Sequence, residues 1–330
     1  MCAYAALALA VAFWGASFVA LKVLLRELGP AAITVVRFGV GVAFLWIVSA
    51  ARGHLQRPTK GELPWLAGLG FSGIALHQWL QATGLLTASA TVTSWIVASI
   101  PIFVALLGWM VLREPMGRGR VAGIILAAAG VTLVVSIGDL RGLVTGTTGT
   151  PGDILIVFSA FNWAVFTIVS KRFMQASSLR PATMMLYVMG FGWLFSLAWL
   201  GVEGGGEAIL HLSAAGWWAM VFLGLACSGL AYLFWYDALD RIDATQAGAF
   251  LYFGPLVTAA LAWPILGEPI GAAMLAGGAA ILVGVWLVNR LRRTGASTPG
   301  VLLEEAPGGP DRPRAGRGKH ALGEPSDGAP

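Results

Sequence analysis

Apolar residues follow one another in long runs along this chain, and the charged residues fall in the short stretches between those runs. A helix crosses the roughly 30 Å core of a bilayer with about 20 apolar residues. Residues 63–112 contain 50 positions without Asp, Glu, Lys or Arg, which is enough for two helices with a break near 83–90. Runs such as 121–135 are apolar on every face, so they do not fit the alternation of transmembrane strands. The pattern predicts an all-α integral membrane protein.

The charge-free runs predict ten transmembrane helices. These spans are 1–21, 31–51, the two within 63–112, 121–138, 154–170, 181–202, 208–236, 244–267 and 269–289. The first span lacks the basic start of a signal peptide, so we expect an uncleaved helix. Residues 295–330 are rich in Gly and Pro and poor in large apolar residues, which predicts a disordered tail.

Composition narrows the class of protein further. Charged residues make up 11% of the chain, whereas soluble globular proteins have roughly 25%. A water-soluble domain, a nucleic-acid binder and a disulfide-stapled secreted module are therefore excluded. The two cysteines, Cys2 and Cys227, form no CxxC or Cys/His cluster, so we expect neither a metal nor a cofactor. The expected partners are a small-molecule substrate and the lipid bilayer, and a homodimer is left open.

Lys and Arg are concentrated in alternate connections. Seventeen fall in the connections after even-numbered spans or in the C-terminal segment, whereas only Arg26 and Arg141 fall in the other connections. Basic loops stay in the cytoplasm. We therefore expect a multi-pass protein of the cell (inner) membrane with both termini in the cytoplasm.

The chain contains an internal repeat. Residues 90–134 align with residues 244–288 at a constant offset of 154, with 16 identities in 45 positions. The identities include Pro101/Pro255, Glu114/Glu268, Gly123/Gly277 and Gly130/Gly284, and a weaker match at offset 149 pairs Trp14 with Trp163. We expect a first five-helix repeat at 1–138, an inter-repeat loop at 139–153, a second five-helix repeat at 154–294 and the cytoplasmic tail at 295–330. Because five is odd, the second repeat is inverted in the membrane, as in many secondary transporters.

Repeat-related prolines and acids have predictable local roles. Pro101 and Pro255 lie about midway along the fourth and ninth spans, where proline kinks a helix. Both are candidate hinges, with static kinks as the alternative. Glu114 and Glu268, each followed by proline, are interpreted as structural residues at helix junctions. There, the proline suits the first turn of the next helix and the acid complements its dipole.

Several short sequences resemble the EamA-type transporters of the drug/metabolite transporter superfamily. They run from Trp14 to Lys22, Pro30 to Phe38, Gly84 to Thr91, Pro101 to Pro115, Trp235 to Leu239, and Leu266 to Pro269, together with Pro255. The resemblance covers nearly all of residues 1–294. It implies ten helices, cytoplasmic termini and transport, often export, of small metabolites such as amino acids, with proton coupling proposed for some members. Arg113 departs from the glycine that the family often has before the acid.

Polar side chains within the spans are candidate substrate contacts, because such groups usually face the bundle interior or a cavity. The third span has the densest set, with His77, Gln78 and Gln81. His77 and Gln81 share one helix face, so we expect them to line a central cavity. The alternative is that they bond each other or a neighbouring helix. His77 is also a candidate for proton coupling, since the unperturbed pKa of histidine lies near neutrality.

Other candidates lie on helices that the repeat would bring to the centre. Trp14 and Trp163 lie deeper than an interfacial belt requires and, with Asn162, could form the wall of a pocket; an interfacial belt is the alternative. The predicted substrate-binding set also includes Ser94, Gln246 and Tyr252. For Ser94, a bond to its own helix backbone is the alternative.

Arg37 lies one or two turns into the second span. A long cationic side chain at that depth can snorkel outward to the interface. We expect this outcome, and pairing with a substrate carboxylate is the alternative.

These features favour a secondary transporter that moves a small metabolite, with amino acids as one candidate class, by alternating access and in the export direction. A passive channel or facilitator is the alternative. An intramembrane enzyme is a remote third hypothesis, because the chain has no HExxH, GxGD or P-loop motif and no assembled catalytic set.

Overall fold

The computed structural model describes residues 3–53, 55–112, 116–146, 148–239 and 250–290. Within these ranges the regular elements are helices and no strand occurs. The main helices are α1 (Ala3–Leu24), α2 (Pro30–Ala51), α3 (residues 63–85), α4 (residues 90–112), α5 (Arg118–Val135), α6 (Pro151–Ala176), α7 (Pro181–Glu203), α8 (residues 214–239), α9 (Gly254–Leu266) and α10 (Ala272–Arg290). The connections contain a short helix, Leu140–Thr145, and two 3-10 turns, Gly206–His211 and Leu251–Phe253.

Eight helices in the described ranges are long and apolar enough to cross a membrane, judged by length and composition. They are α1, α2, α4, α5, α6, α7, α8 and α10. With its preceding 3-10 turn, α9 forms a shorter apolar helix. The predicted all-α membrane protein is therefore confirmed, and the count of ten spans stays a prediction. The predicted tail lies outside the described residues.

Local capping decides where several of these helices begin. The charge-free run predicted a span at 154–170, but α6 begins earlier, at Pro151. The Asp153 carboxylate accepts from the Thr150 N–H at 2.7 Å, and the Thr150 hydroxyl accepts from the Asp153 N–H. This capping box extends the helix past the charge. The predicted break at 83–90 is found, since α3 ends at Leu85 and Ser89 caps α4.

Two helices contain a π-helical turn. In α3, the segments Leu63–Gly70 and His77–Leu85 flank the π turn Phe71–Leu76. In α8, the π turn Phe222–Leu230 occupies the middle of the helix. A π turn changes the register of the side chains that follow and is frequent at functional sites.

Both candidate hinge prolines begin a helical segment. The two segments of α4, Ala90–Ala98 and Ile100–Leu112, are separated by a turn at Ser99, and Pro101 is the second residue after that turn. Pro255 is the second residue of α9. A proline in the first turn leaves no helical hydrogen bond unmade. The described helices are thus interrupted before each proline, and hinge motion there stays a prediction.

Helices α5 and α10 cross through four glycines. A Cβ atom on Gly123 would lie 2.7 Å from the Gly284 carbonyl oxygen, and one on Gly130 would lie 2.6 Å from the Gly277 carbonyl oxygen. The converse distances, from Gly277 to Gly130 and from Gly284 to Gly123, are 2.7 and 2.6 Å. Only glycine allows this approach of two backbones.

The remaining helices pack in pairs around the interior. Helix α1 packs against α8 and α9, α6 packs against α3 and α4, and α2 packs against α7 and the π turn of α8. This arrangement brings polar side chains of α2, α3, α6 and α8 together.

Candidate substrate-binding site

His77 lies in a small polar group between α3 and α6. It directly follows the π turn of α3, and its side chain is 5% exposed. Its Nδ1 atom is 2.9 Å from the Ser159 hydroxyl oxygen and 3.2 Å from the Ser159 carbonyl oxygen. A protonated Nδ1 donates to the carbonyl, and an unprotonated Nδ1 accepts from the hydroxyl. Ser159 therefore holds the imidazole in either tautomer.

Trp163 of α6 forms an aromatic wall beside this histidine. The ring centroids of Trp163 and His77 are 4.6 Å apart, and those of Trp163 and Phe166 are 4.8 Å apart. Aromatic pairs at such separations stabilise one another beyond the area that they bury. His77 and Trp163, two predicted substrate-binding residues from different halves of the chain, are thus in contact.

Gln81 is buried on α3, at 7% exposure, and its side chain forms no hydrogen bond within the part of the chain that the structure describes. The alternative left open for this pair was that His77 and Gln81 bond each other or a neighbouring helix, and His77 does bond a neighbouring helix, through Ser159 of α6. Its amide atoms are not among the fully buried side-chain atoms that lack a partner, so they keep some exposure. The Gln81 amide is therefore available to a ligand.

Arg37 of α2 is a buried group whose role we predicted wrongly from the sequence. Its side chain is 8% exposed, so it does not snorkel to the interface. The Nε–H group donates to the Ser228 hydroxyl at 2.9 Å, and Nη1 donates to the Gln78 side-chain oxygen at 3.3 Å. Ser228 is 191 residues away in sequence, and no local pattern could have identified it as a partner.

Asn162 and Trp14 attach helices to the two π turns. The Asn162 amide donates to the Ser72 carbonyl at 2.8 Å and accepts from the Ser72 hydroxyl at 3.1 Å. The Trp14 indole donates to the Cys227 carbonyl at 3.1 Å and lies 5.5 Å from the Tyr232 ring. Both side chains thus join neighbouring helices, a role that we did not predict from the sequence.

The other predicted site residues do not join this group. The Ser94 hydroxyl donates to the Thr91 carbonyl at 2.7 Å, so it bonds its own helix backbone. The Tyr252 hydroxyl accepts from the Asn289 amide at 2.8 Å. Gln246 lies outside the described residues.

The comparison with known families decides the class of this protein. The EamA-like transporter family matches residues 1–136 and, a second time, residues 150–290. The chain belongs to the EamA-like transporter family. The resemblance found in the sequence motifs is therefore confirmed.

Relatives of this transporter support the same class. A probable terminal-alkyne amino-acid exporter of Streptantibioticus cattleyicolor is 30% identical over 299 residues, which are 89% of this chain and 97% of that protein. An uncharacterized transporter of Archaeoglobus fulgidus is 29% identical over 283 residues, 86% and 96% of the two chains. A probable amino-acid metabolite efflux pump of Salmonella typhimurium is 28% identical over 300 residues, 87% and 95%.

A solved crystal structure shares the fold of this transporter. It superimposes with a TM-score of 0.59 at 20% sequence identity and covers 89% of this chain and 99% of its own. Family membership and the names of the relatives indicate a membrane transporter of small molecules rather than an enzyme. In the part of the transporter that the structure describes, no group of three or more His, Cys, Asp or Glu could hold a metal ion.

At one end of the transporter, α1 and the α9–α10 connection hold the turn between α3 and α4. Lys22 of α1 donates to the carbonyl of Leu85 at 2.6 Å and to that of Ala88. The Glu268 carboxylate accepts from the Ala90 and Thr91 N–H groups at 2.7 and 2.9 Å and from the Thr91 hydroxyl at 2.7 Å. We name these contacts the α3–α4 latch.

The latch corrects our interpretation of Glu268. The acid was expected to complement the dipole of the helix that follows it, but it caps the start of α4, 178 residues earlier. Pro269 lies in the connection before α10, which begins at Ala272, so it is not in the first turn of that helix. Its repeat counterpart, Glu114, lies outside the described residues.

At the other end, polar contacts join connections that the sequence predicts to be cytoplasmic. Arg52 and Asp237 form an ion pair at 3.1 Å, with both side chains 44% exposed. Glu62 accepts hydrogen bonds from Ser177 and from Thr59. These bonds stabilise the carboxylate and hold the pKa of Glu62 below its usual value.

Proposed function

We propose that this protein exports a small metabolite of the amino-acid class across the cytoplasmic membrane by alternating access of two inverted five-helix repeats, with both termini in the cytoplasm. The observation that carries the proposal is that contacts between the two halves of the chain occur in pairs. Where a helix of the first half contacts a helix of the second half, the repeat counterparts of those two helices are also in contact. Two halves related by a two-fold axis must exchange their contacts in this way, and such halves can rock between inward-open and outward-open states around one site.

The glycine crossing supports this two-fold relation. Under the repeat offset of 154, Gly123 corresponds to Gly277 and Gly130 corresponds to Gly284. The Gly123–Gly284 contact then becomes the Gly277–Gly130 contact, and both are present. Exchanging the two repeats therefore converts each of the two glycine contacts between α5 and α10 into the other.

The inner helices exchange in the same manner. Helix α6 is the repeat counterpart of α1, and α3 is the repeat counterpart of α8. Helix α1 packs against α8, and α6 packs against α3 in the same way. Within these pairs, Trp14 bonds the π turn of α8, while Asn162, next to the corresponding Trp163, bonds the π turn of α3. Each π turn thus receives a side-chain hydrogen bond from the opposite half, one from Trp14 and the other from the residue beside its counterpart.

The α3–α4 latch fits a closed end of an alternating-access cycle. Charge bias assigns the α3–α4 turn to the external side of the membrane. Hydrogen-bonding groups of α1, α4 and the α9–α10 connection meet there. Opening toward the outside would separate these groups, so the latch is a barrier that substrate binding must help to overcome.

The chemistry of the buried group suits an amphipathic substrate. His77 and Gln81 offer polar contacts, and Trp163 offers an apolar wall. Two of the relatives are named as amino-acid or amino-acid-metabolite exporters. Amino acids combine a polar head with a side chain that an aromatic wall can hold.

Mass spectrometry of amino acids inside and outside cells tests this function. Cells that express the wild-type protein should accumulate one or a few amino acids in the medium, compared with cells that carry an empty vector. Cells that express the His77→Ala variant at equal membrane abundance should resemble the empty-vector cells. Identical amino-acid profiles for wild type and empty vector would contradict the proposal.

A further inference from the structure

Arg37 is a cation inside the helix bundle with no anionic partner among the residues that the structure describes. It is the eighth residue of α2, about 10 Å along the helix from its start. Within the described ranges, the Asp and Glu side chains lie in connections or near helix ends. The ion pair that the structure contains there, Arg52–Asp237, does not involve Arg37. An arginine in this position remains charged.

The guanidinium has hydrogen-bonding capacity to spare. Of its five N–H groups, one on Nε is bonded to Ser228 and one on Nη1 to Gln78. Both acceptors are neutral, and the Phe38 ring, 5.2 Å from Cζ, adds only a cation–π contact. A buried charge that has only neutral partners costs free energy. Ionisable residues kept inside a membrane despite this cost usually mark functional sites. The missing partner is an anion.

The position of the guanidinium adds a second, independent observation. Ser228 lies within the π turn of α8, and Gln78 is the second residue after the π turn of α3. Arg37 therefore connects the two helices that the repeat relates, at the irregular segment of each. His77, Cys227 and Tyr232 lie within electrostatic range of the guanidinium, so the cation belongs to the same interior region as the predicted site.

We infer that Arg37 binds the carboxylate of the transported molecule and so restricts the substrates to carboxylic acids. This inference rests on the proposed function. The planar fork of an arginine matches the two oxygens of a carboxylate and can bind both at once. Gln78 and Ser228 orient the fork, and the His77–Trp163 pair contacts the rest of the substrate.

Counterflow in proteoliposomes tests this inference in two steps. First, wild-type vesicles are loaded with an equimolar mixture of the twenty standard amino acids, and exchange against the same labelled mixture is followed. If no amino acid exchanges, the proposed function fails. If one exchanges, its primary carboxamide, which keeps the side chain and the amino group but lacks the anion, is compared with the acid.

The variants decide the role of Arg37. We expect wild type to exchange the acid about 10- to 100-fold faster than the amide, the range of one or two charge-assisted hydrogen bonds. Arg37→Gln should remove this preference by slowing the acid alone, and Arg37→Lys, which keeps the charge but loses the fork, should retain part of it. Arg26→Gln, in the exposed α1–α2 connection, is the matched control and should behave as wild type.

A binding measurement separates recognition from a general loss of structure. In detergent, the acid should raise the thermal midpoint of wild type and of Arg26→Gln, and it should not raise that of Arg37→Gln. A saturating concentration of inorganic phosphate in place of the acid shows whether any anion suffices. Equal exchange of acid and amide by wild type, an equal loss of both in Arg37→Gln, or an undiminished shift in Arg37→Gln would overturn the inference.

Discussion

At the scale of single residues, the interior polar groups fall into two kinds. Asn162, Ser94 and Tyr252 have protein partners and need nothing else. Among the described residues, Gln81 has no side-chain partner and Arg37 has neutral partners only. In the proposed function, groups of the second kind contact the ligand. Fully buried atoms without a partner also occur in the described ranges at Thr83, Thr93, Trp95, Asp153 and Ser170. It is therefore the position of Gln81 and Arg37 beside His77 that assigns them to the site.

Replacing Gln81 by Ala should reduce transport more than it reduces stability. The amide makes no bond to the described residues, so its loss should leave the yield of folded protein near that of wild type, while the exchange rate falls by about tenfold, as expected for one lost hydrogen bond to substrate. Exchange in proteoliposomes and gel filtration measure the two effects. A normal exchange rate combined with a low folded yield would show that Gln81 serves packing.

Replacing His77 by Ala should also impair transport, for a different reason. The substitution removes both the Ser159 bond and the ring that packs on Trp163. Ser159→Ala, which deletes the partner but keeps the ring, should retain more activity than His77→Ala. Equal activity of the two variants in the same exchange assay would mean that the ring itself makes no contribution.

At the scale of helices, backbone proximity makes specific glycines irreplaceable. A methyl group at Gly130 would lie 2.6 Å from the Gly277 carbonyl oxygen. Gly130→Ala should therefore lower the free energy of unfolding by about 1–3 kcal/mol through overpacking. Gly190→Ala in α7 is the matched control, since a Cβ there meets nothing within 4 Å. Unfolding in detergent measures both, and equal stability of the two variants would contradict the close crossing.

The α3–α4 latch predicts a change in accessibility when its acid is neutralised. Glu268→Gln removes the charge from the α4 N-terminus and leaves one carbonyl acceptor, so that end should open more often. Ala88 is fully buried beneath the latch. In a background without native cysteines, Ala88→Cys should react faster with a membrane-impermeant maleimide when Glu268→Gln is added.

Glu207→Gln, a substitution of an exposed acid in the α7–α8 connection, is the control for this experiment. It should leave the labelling rate of Ala88→Cys unchanged. Equal rates with and without Glu268→Gln would mean that the Glu268 charge does not hold this end closed.

Much of the helical pattern could be predicted from the sequence, because apolar runs must be as long as a bilayer is thick. The break between α3 and α4 was predicted correctly, and the early start of α6 was missed because Asp153 was taken as an end rather than a cap. The π turns were not predictable, since they barely change the hydrophobic pattern. Long-range partners such as Ser228 for Arg37 depend on helix packing, which no single segment encodes.

At the scale of the whole molecule, the account depends on one relation between the two halves. Reciprocal contacts at the glycine crossing and at both π turns are what a two-fold arrangement would produce. Such an arrangement gives two states of similar energy around one interior site. A passive channel would need no exchange between these states.

Trans-stimulation in proteoliposomes tests this central claim most directly. Vesicles are loaded with an excess of the unlabelled amino acid that the cellular assay identifies, and the entry of trace labelled amino acid is followed. Alternating access predicts transient accumulation above the equilibrium level, faster entry than into empty vesicles, and saturation as external substrate rises. Entry that is proportional to concentration and indifferent to the internal load would contradict the account and indicate a channel.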